Sequence, residues 1–358
     1  MKLSGFQDSP QLSYPPFSEA WRFSQLESFF QQDLSPAKAE FTSASHVEIS
    51  GAQTQINSLP QGVSLSEIKV AGSDFWSTLK RSGVKYKITI TEAMTQPLKI
   101  SITRPSTQSH EATLAFIEIH VLAGIKASIL QDYSGSELGH THSETLIELA
   151  EGSTLEHSLS FKEGAQSINT HTITTKVAKR ARYEQTILSS DSQKTRLDLL
   201  TELMGEESFA KLRSLSLLKL KSNVDVHSQI IHHSPDTAAD QLAKNLLDGE
   251  SKAIFTGRIK IVRDAQRVHS AQLNRNILKS KKAHAIGQPQ LEIFADDVKC
   301  SHGSTTGRIG ENELFYLLSR GISQNRAQEL LSHAFIQEVF TENSPESKTF
   351  FKQFLEQQ

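Results

Sequence analysis

Cysteine is nearly absent: Cys300 is the one thiol in 358 residues. That excludes a disulfide-stapled scaffold, a zinc ribbon and an iron–sulfur cluster held by four thiolates of this chain. Net charge is scarce as well. The 38 Lys and Arg against 40 Asp and Glu leave a balance of −2, so the surface as a whole is no field for nucleic acid or a membrane. Long apolar runs are missing: the greasiest stretch, Leu114 to Leu130, is broken by Glu118, His120 and Lys126, and a spanning helix needs roughly 18 apolar residues. Met1 to Pro16 carries a single Lys and no apolar stretch, so no signal peptide is expected and the cytoplasm is the default location. No GxxxxGK[ST] loop, GxSxG elbow or HExxH pair occurs, which leaves the chain without an ATP-hydrolysing loop or a recognisable hydrolytic centre of its own.

What is present is a change of period along the chain. Ser18 precedes Trp21, Leu26, Phe29 and Phe30 at near-helical spacing, and Asp74 to Leu79 offers one more helical turn. From Lys85 the period becomes two: Tyr86/Ile88/Ile90, Leu98/Ile100/Ile102 and Ile117/Ile119/Val121 are followed by similar alternations as far as Leu291/Ile293. Gly124, Gly135, Gly152, Gly164, Gly257 and Gly287 read as turn residues between these strands. Short half-polar strands with few helices between them exclude a doubly wound parallel sheet. Their number exceeds the roughly seven of a sandwich, which favours a parallel β-helix (β-solenoid). One insert, Asp236 to Leu247, places Ala239, Leu242, Ala243, Leu246 and Leu247 at helical spacing.

Past Gly310 the helical period returns. Leu314, Leu317 and Leu318 line one helix that Gly321 ends; Ser323 caps a second; Pro345 opens a third with Phe350, Phe351, Phe354 and Leu355. This apolar surface exceeds what a solenoid cap needs and calls for a partner. The expected organisation is a mainly β protein: a short N-terminal helical region over 1–80, a β-helix core over 81–309 and a C-terminal helical domain over 310–358.

The candidate chemistry is sparse. His140 and His142, two apart, would share a strand face in a Ser/Thr/Glu-rich, solvated setting; His232 and His233 would face opposite ways, and His157 and His171 read as ladder or surface residues. Eight cations and one carboxylate lie between Arg258 and Lys282, but almost no aromatic side chain accompanies them to stack bases, so nucleic-acid binding is not expected. Asp296 and Asp297 are adjacent, hence on opposite strand faces, and make a poor acid–base pair. Cys300 and His302, by contrast, project to the same face of a strand, and a thiolate beside an imidazole suits iron, zinc or copper. Two ligands are half a site; the alternative is a buried Cys and a satisfied His at a strand end.

The segment Gln290-Leu-Glu-Ile-Phe-Ala-Asp-Asp-Val-Lys-Cys-Ser-His-Gly-Ser-Thr-Thr-Gly-Arg-Ile309, followed by Phe315-Tyr-Leu-Leu-Ser-Arg-Gly-Ile322, resembles the C-terminal signature of the SufB/SufD family of iron–sulfur cluster assembly scaffolds. Phe255-Thr-Gly-Arg-Ile259 and Gln272-Leu-Asn-Arg-Asn-Ile-Leu278 resemble it too, as does Glu19-Ala-Trp-Arg-Phe-Ser24 near the start. The resemblance implies a β-helix with helical ends that pairs with the SufB paralogue and binds the SufC ATPase, with no enzymatic activity of its own. It implies His302, with Cys300 beside it, as ligands of an iron site or transient iron–sulfur cluster at the SufB–SufD interface, with no cofactor stably bound to the chain alone. It further implies that Leu317, Ser319, Arg320, Gly321, Ala327, Leu331 and Phe335 lie on the ATPase-binding helices. A single Cys points to the SufD side of the family, since SufB-type chains are richer in cysteine. Two other readings are a β-helix carbohydrate-active enzyme, for which 7% aromatic residues are few, and a homomeric structural solenoid; a homodimer through the last strands is expected when a partner is missing.

Overall fold

The structure is a computed structural model that describes residues 35–36, 46–49, 61–68, 84–104, 111–135 and 138–356. The helix expected around Trp21 and the turn at Asp74 to Leu79 lie outside the described residues. The rest is a parallel β-solenoid of about seven turns, followed by three α-helices. One sheet contains β1 (Ser35–Pro36), β3 (Val63–Glu67), β4 (Val84–Ile90), β6 (Glu111–Val121), β8 (His140–Leu149), β10 (Ile168–Val177), β12 (Lys194–Leu203), β14 (Asn223–His232), β16 (Lys252–Ile261) and β18 (His284–Ile293). The other contains β2 (His46–Ile49), β5 (Leu98–Arg104), β7 (Lys126–Gly135), β9 (Thr154–Lys162), β11 (Arg182–Ser189), β13 (Phe209–Leu218), β15 (Ala238–Leu247), β17 (Val268–Leu278) and β19 (Val298–Gly307). From β4 on, the chain alternates between sheets, and each strand pairs in parallel with the strand two further along; β3 alone runs antiparallel, against β4.

Period two generates this stack. Ile88 and Ile90, Ile117 and Ile119, Leu155 and Leu159, Leu197 and Leu199, and Ile259 and Ile261 point inward into one continuous core between the sheets. Each such side chain stabilises the fold by about 1.5–3 kcal/mol when removed from water. The connections turn through left-handed residues. Gly124 and Gly152 occupy this conformation in two turns, and Arg180, Glu207, Asp236 and Arg267 take it in others at φ of 56–60°. Gly257 and Gly287 are not turn residues as expected; they sit mid-strand in β16 and β18. A Cβ at Gly257 would collide with the Gln272 amide, and one at Gly287 with Ser304 and Asn274, so both glycines make room for polar side chains inside the solenoid.

The helix expected at Asp236 to Leu247 is strand β15. Ala239, Gln241, Ala243 and Asn245 face inward in register with Ser270, Gln272, Asn274 and Asn276. Leu242, Lys244 and Leu246 face outward, yet the C-terminal segment packs over that face as well. A strand covered on both sides loses the polar/apolar alternation that identifies a strand.

The C-terminal helices are α1 (Glu311–Ser319), α2 (Gln324–Gln337) and α3 (Pro345–Leu355), with a 3₁₀ turn at Glu338–Phe340. Gly321 has φ +81°, as its place after α1 requires. The apolar surface of the 3₁₀ turn and α3 is not surplus: Val339, Phe340, Phe351 and Phe354 bury Leu188, Leu215 and Leu217 on the outer face of the second sheet. Ser344 N donates to Glu156 Oε1 at 3.0 Å, Asn343 Nδ2 to Thr186 Oγ1 at 2.9 Å, and Ser158 Oγ to Ser347 Oγ at 2.9 Å, pinning the segment in register. Helix α1 differs, for it buries no residue. Phe315 is 72% and Tyr316 57% exposed, and Leu318 and Leu330 are exposed beside them.

Candidate metal-ligand pair at the open end of the solenoid

Among the described residues, strand β19 is the last of its sheet and pairs only with β17. Its register sets Cys300 over Ser270, His302 over Gln272, Ser304 over Asn274 and Thr306 over Asn276. The thiol of Cys300 is half-buried against the end of the core, and His302 is exposed. Burial pushes the Cys300 thiol above its ordinary range, offset only in part by a backbone hydrogen bond to Ser270. The isolated thiol is therefore protonated at neutral pH and becomes a thiolate when a metal or a neighbouring charge stabilises it. Among the described residues, no three His, Cys, Asp or Glu side chains converge well enough to hold a metal. The pair lies on the edge strand at the end of the stack, and Ile293 at the end of β18 and Phe294 after it are exposed.

Beneath the pair runs a polar ladder that sequence reasoning missed. Gln272 is 2% exposed and donates from Nε2 to Gln241 Oε1 at 2.8 Å, while its own Oε1 has no hydrogen-bond partner among the described residues. Ser304 Oγ reaches Asn274 Oδ1 at 3.2 Å, and Asn276 Nδ2 donates to Thr306 Oγ1 at 3.0 Å. The signal lay in Gln272, Asn274 and Asn276 at period two, but side-chain polarity alone does not say which face is inside.

The remaining candidates do not join this pair. His157 bonds Gln131 and Tyr183, His171 bonds Ser143 and Glu163, and His232 bonds Thr237 and Ser270. These rings are buried core residues, not surface ones. His140 is buried, and His142 bonds Thr170 on the neighbouring strand. The cationic run is divided among turns and rungs and meets carboxylates there: Arg258 with Glu292, Arg267 with Asp236, Arg275 with Glu338, Lys279 with Asp248 and Lys282 with Glu250. Asp296 and Asp297 lie exposed between β18 and β19. Of the helical candidates, Ser319, Arg320 and Gly321 are exposed, Leu317 and Leu331 are half-buried, Ala327 is fully buried, and Phe335 covers Lys244.

Fold and site together define a β-solenoid whose last strand, at the edge of its sheet, carries a cysteine and a histidine two residues apart, with a helical arm fixed to its flank. The chain belongs to the family described as SUF system FeS cluster assembly, SufBD core domain, whose model matches residues 103–335. It is 38% identical over 139 residues to the iron-sulfur cluster assembly protein SufD of Escherichia coli, covering 39% of this chain and 33% of that protein. It is 32% identical over 193 residues to an iron-sulfur cluster assembly SufBD family protein of Synechocystis, covering 54% of this chain and 43% of the other. A SufBD family protein of Mycobacterium leprae aligns over 339 residues at 24% identity, covering 90% of this chain and 84% of that protein. The chain thus spans less than half the length of the first two relatives, and several of the relatives it matches are named SufD. No helix among the described residues is long and apolar enough to cross a membrane.

Proposed function

We propose that this chain is a non-catalytic SufD-type scaffold subunit that acts in the cytoplasm, pairs with a SufB-type chain and binds a SufC-type ATPase. Cys300 and His302 contribute ligands to an iron site or nascent iron–sulfur cluster at the SufB-side interface, and the cluster is cargo, held only in the complex. The observation that carries this reading is the incomplete ligand pair on β19, a strand with one sheet neighbour at the uncovered end of the stack. An open strand edge invites another chain, and a second chain is what the missing ligands require. The exposed face of α1 and the start of α2, around Phe315, Tyr316, Leu318 and Arg320, supplies the ATPase contact. Nucleotide-driven movement of that ATPase then shifts the interface between closed and open populations.

The test is His302→Ala in a complex assembled from this chain, its SufB-type partner and the ATPase. Even outer-shell partners of metal sites are worth about 10–100-fold in metal affinity or activity, so loss of a ligand lowers cluster formation at least that far. The readout is iron and sulfide bound per complex, with the visible absorption of the cluster. Cluster formation at the wild-type rate removes His302 from the ligand set.

A further inference from the structure

The outer face of β15 carries a lysine with no access to water. The Lys244 side chain is 0% exposed, and its Nζ donates to Phe335 O at 2.7 Å and to the Glu338 carboxylate, with the Phe335 ring centroid 4.1 Å away. Arg275, in register with Lys244 on β17, donates from Nη1 to both Glu338 oxygens, at 3.0 and 3.2 Å. Glu338 thus bridges two strands of the solenoid from the C-terminal end of α2. Burial lowers the Lys244 pKa and Glu338 raises it again; without the carboxylate the ammonium faces one carbonyl and one ring, an arrangement that a buried cation tolerates poorly.

The other end of the α1–α2 hairpin is attached covalently. Only Arg308 to Gly310 separate β19 from α1, and the next residue of β19 over Arg275 is Thr305. The hairpin is therefore held at its two ends: at Phe335–Glu338, on β15 and β17, next to the buried Val339 and Phe340, and at Gly307, on the strand that bears Cys300 and His302. Between them α2 is a stiff rod of about 21 Å at 1.5 Å per residue. If the Glu338 end holds, a displacement of exposed α1 falls on the short link and on β19, which has one sheet partner and is the easiest strand to move.

We propose that Glu338 is a positioning residue, the fixed point about which the α1–α2 hairpin converts load from a bound ATPase into movement of β19. This rests on the reading that the ATPase docks on α1 and α2. Without the clamp the end of α2 is released from β15 and β17 as far as buried Val339 and Phe340 allow, the ATPase still binds, and β19 no longer responds.

The experiment uses the full chain in complex with its SufB-type partner and the ATPase. Iodoacetamide labelling of Cys300, read on its own peptide by mass spectrometry, rises severalfold with ATP in the wild type. Glu338→Gln co-purifies with the ATPase as the wild type does but shows no rise, and Glu338→Asp restores part of it. In the isolated chain, Glu338→Gln speeds amide exchange over 324–340 about tenfold or more, as expected when a buried cation loses its counter-ion, and leaves β4 to β13 unchanged. A nucleotide response retained in Glu338→Gln, or absent from a wild-type complex that does contain the ATPase, overturns the lever. Unchanged exchange over 324–340 overturns the clamp. A wild-type chain that fails to capture the ATPase overturns the docking reading and the lever with it, while the exchange result still decides whether the clamp exists.

Discussion

A buried imidazole inside a β-stack is a stability element with a pH dependence set by its surroundings. His157 lies between Gln131 and Tyr183 at 2.9 and 3.1 Å, and burial lowers its pKa to about 3. His232 bonds Thr237 and Ser270, and burial, with His233 adding to it, lowers its pKa to about 4. Both folded-state values lie below the unfolded value of about 6.5, so the unfolded chain takes up protons first on acidification. The stability contributed by the neutral rings is complete above about pH 6.5 and is lost progressively toward about pH 4 for His232 and about pH 3 for His157. Each ring accounts for up to about 1.4 kcal/mol per pH unit in that window. Urea midpoints at pH 7, 6 and 5 are expected to fall steadily, and His157→Gln to flatten the slope; an equal slope in the variant shows that His157 is not the group titrating. At this scale the placement of Cys300 and His302 on one strand was legible because their spacing is local, two residues apart. The Lys244–Glu338 clamp was not, because its partners are 94 residues apart and nothing near Lys244 in the sequence marks it as buried.

Elements were legible wherever one face alone is dry. Strands β4 and β5, and β6 from Ile117 to Val121, show clean alternation, since their inner residues enter the core and their outer ones are less buried. Strand β15 failed this test for a physical reason: its outer residues Leu242, Lys244 and Leu246 are covered, so Ala and Leu occur on both faces and mimic a helical stripe. The same cover explains α3. Its phenylalanines looked like a surface awaiting another protein, but they close the chain's own sheet at Leu188, Leu215 and Leu217. Phe351→Ala is therefore expected to weaken this docking by about 3–5 kcal/mol, the range for truncating a buried aromatic ring. Amides over 345–355 would then exchange far faster while β4 to β11 keep their protection. If exchange in 345–355 stays at the wild-type rate, Phe351 does not hold the helix.

For the whole molecule, the consequence is that the helical arm has two roles that a simple deletion confuses. Residues after Gly310 include α1, whose apolar side chains are exposed, and α3, whose apolar side chains are core. Removing the entire segment bares Leu188, Leu215 and Leu217, leaves Lys244 without its carboxylate, and exposes a flank of the second sheet along several rungs. Such a truncation is expected to lose solubility and urea resistance as well as any partner, so its failure to bind an ATPase would carry no information about docking. Phe315→Glu separates the two. Phe315 is exposed and makes no core contact, so the substitution leaves the urea midpoint close to wild type, within about 0.5 kcal/mol as for ordinary surface changes. It places a charge in the centre of the Phe315/Tyr316/Leu318 patch, and central aromatic truncations at interfaces cost about 2 kcal/mol or more, which is roughly a thirtyfold loss of affinity. Titration of the ATPase against wild-type and Phe315→Glu chains by calorimetry, with melting curves run beside it, reads both quantities. Equal affinity at equal stability moves the contact off α1 and leaves the patch to another partner.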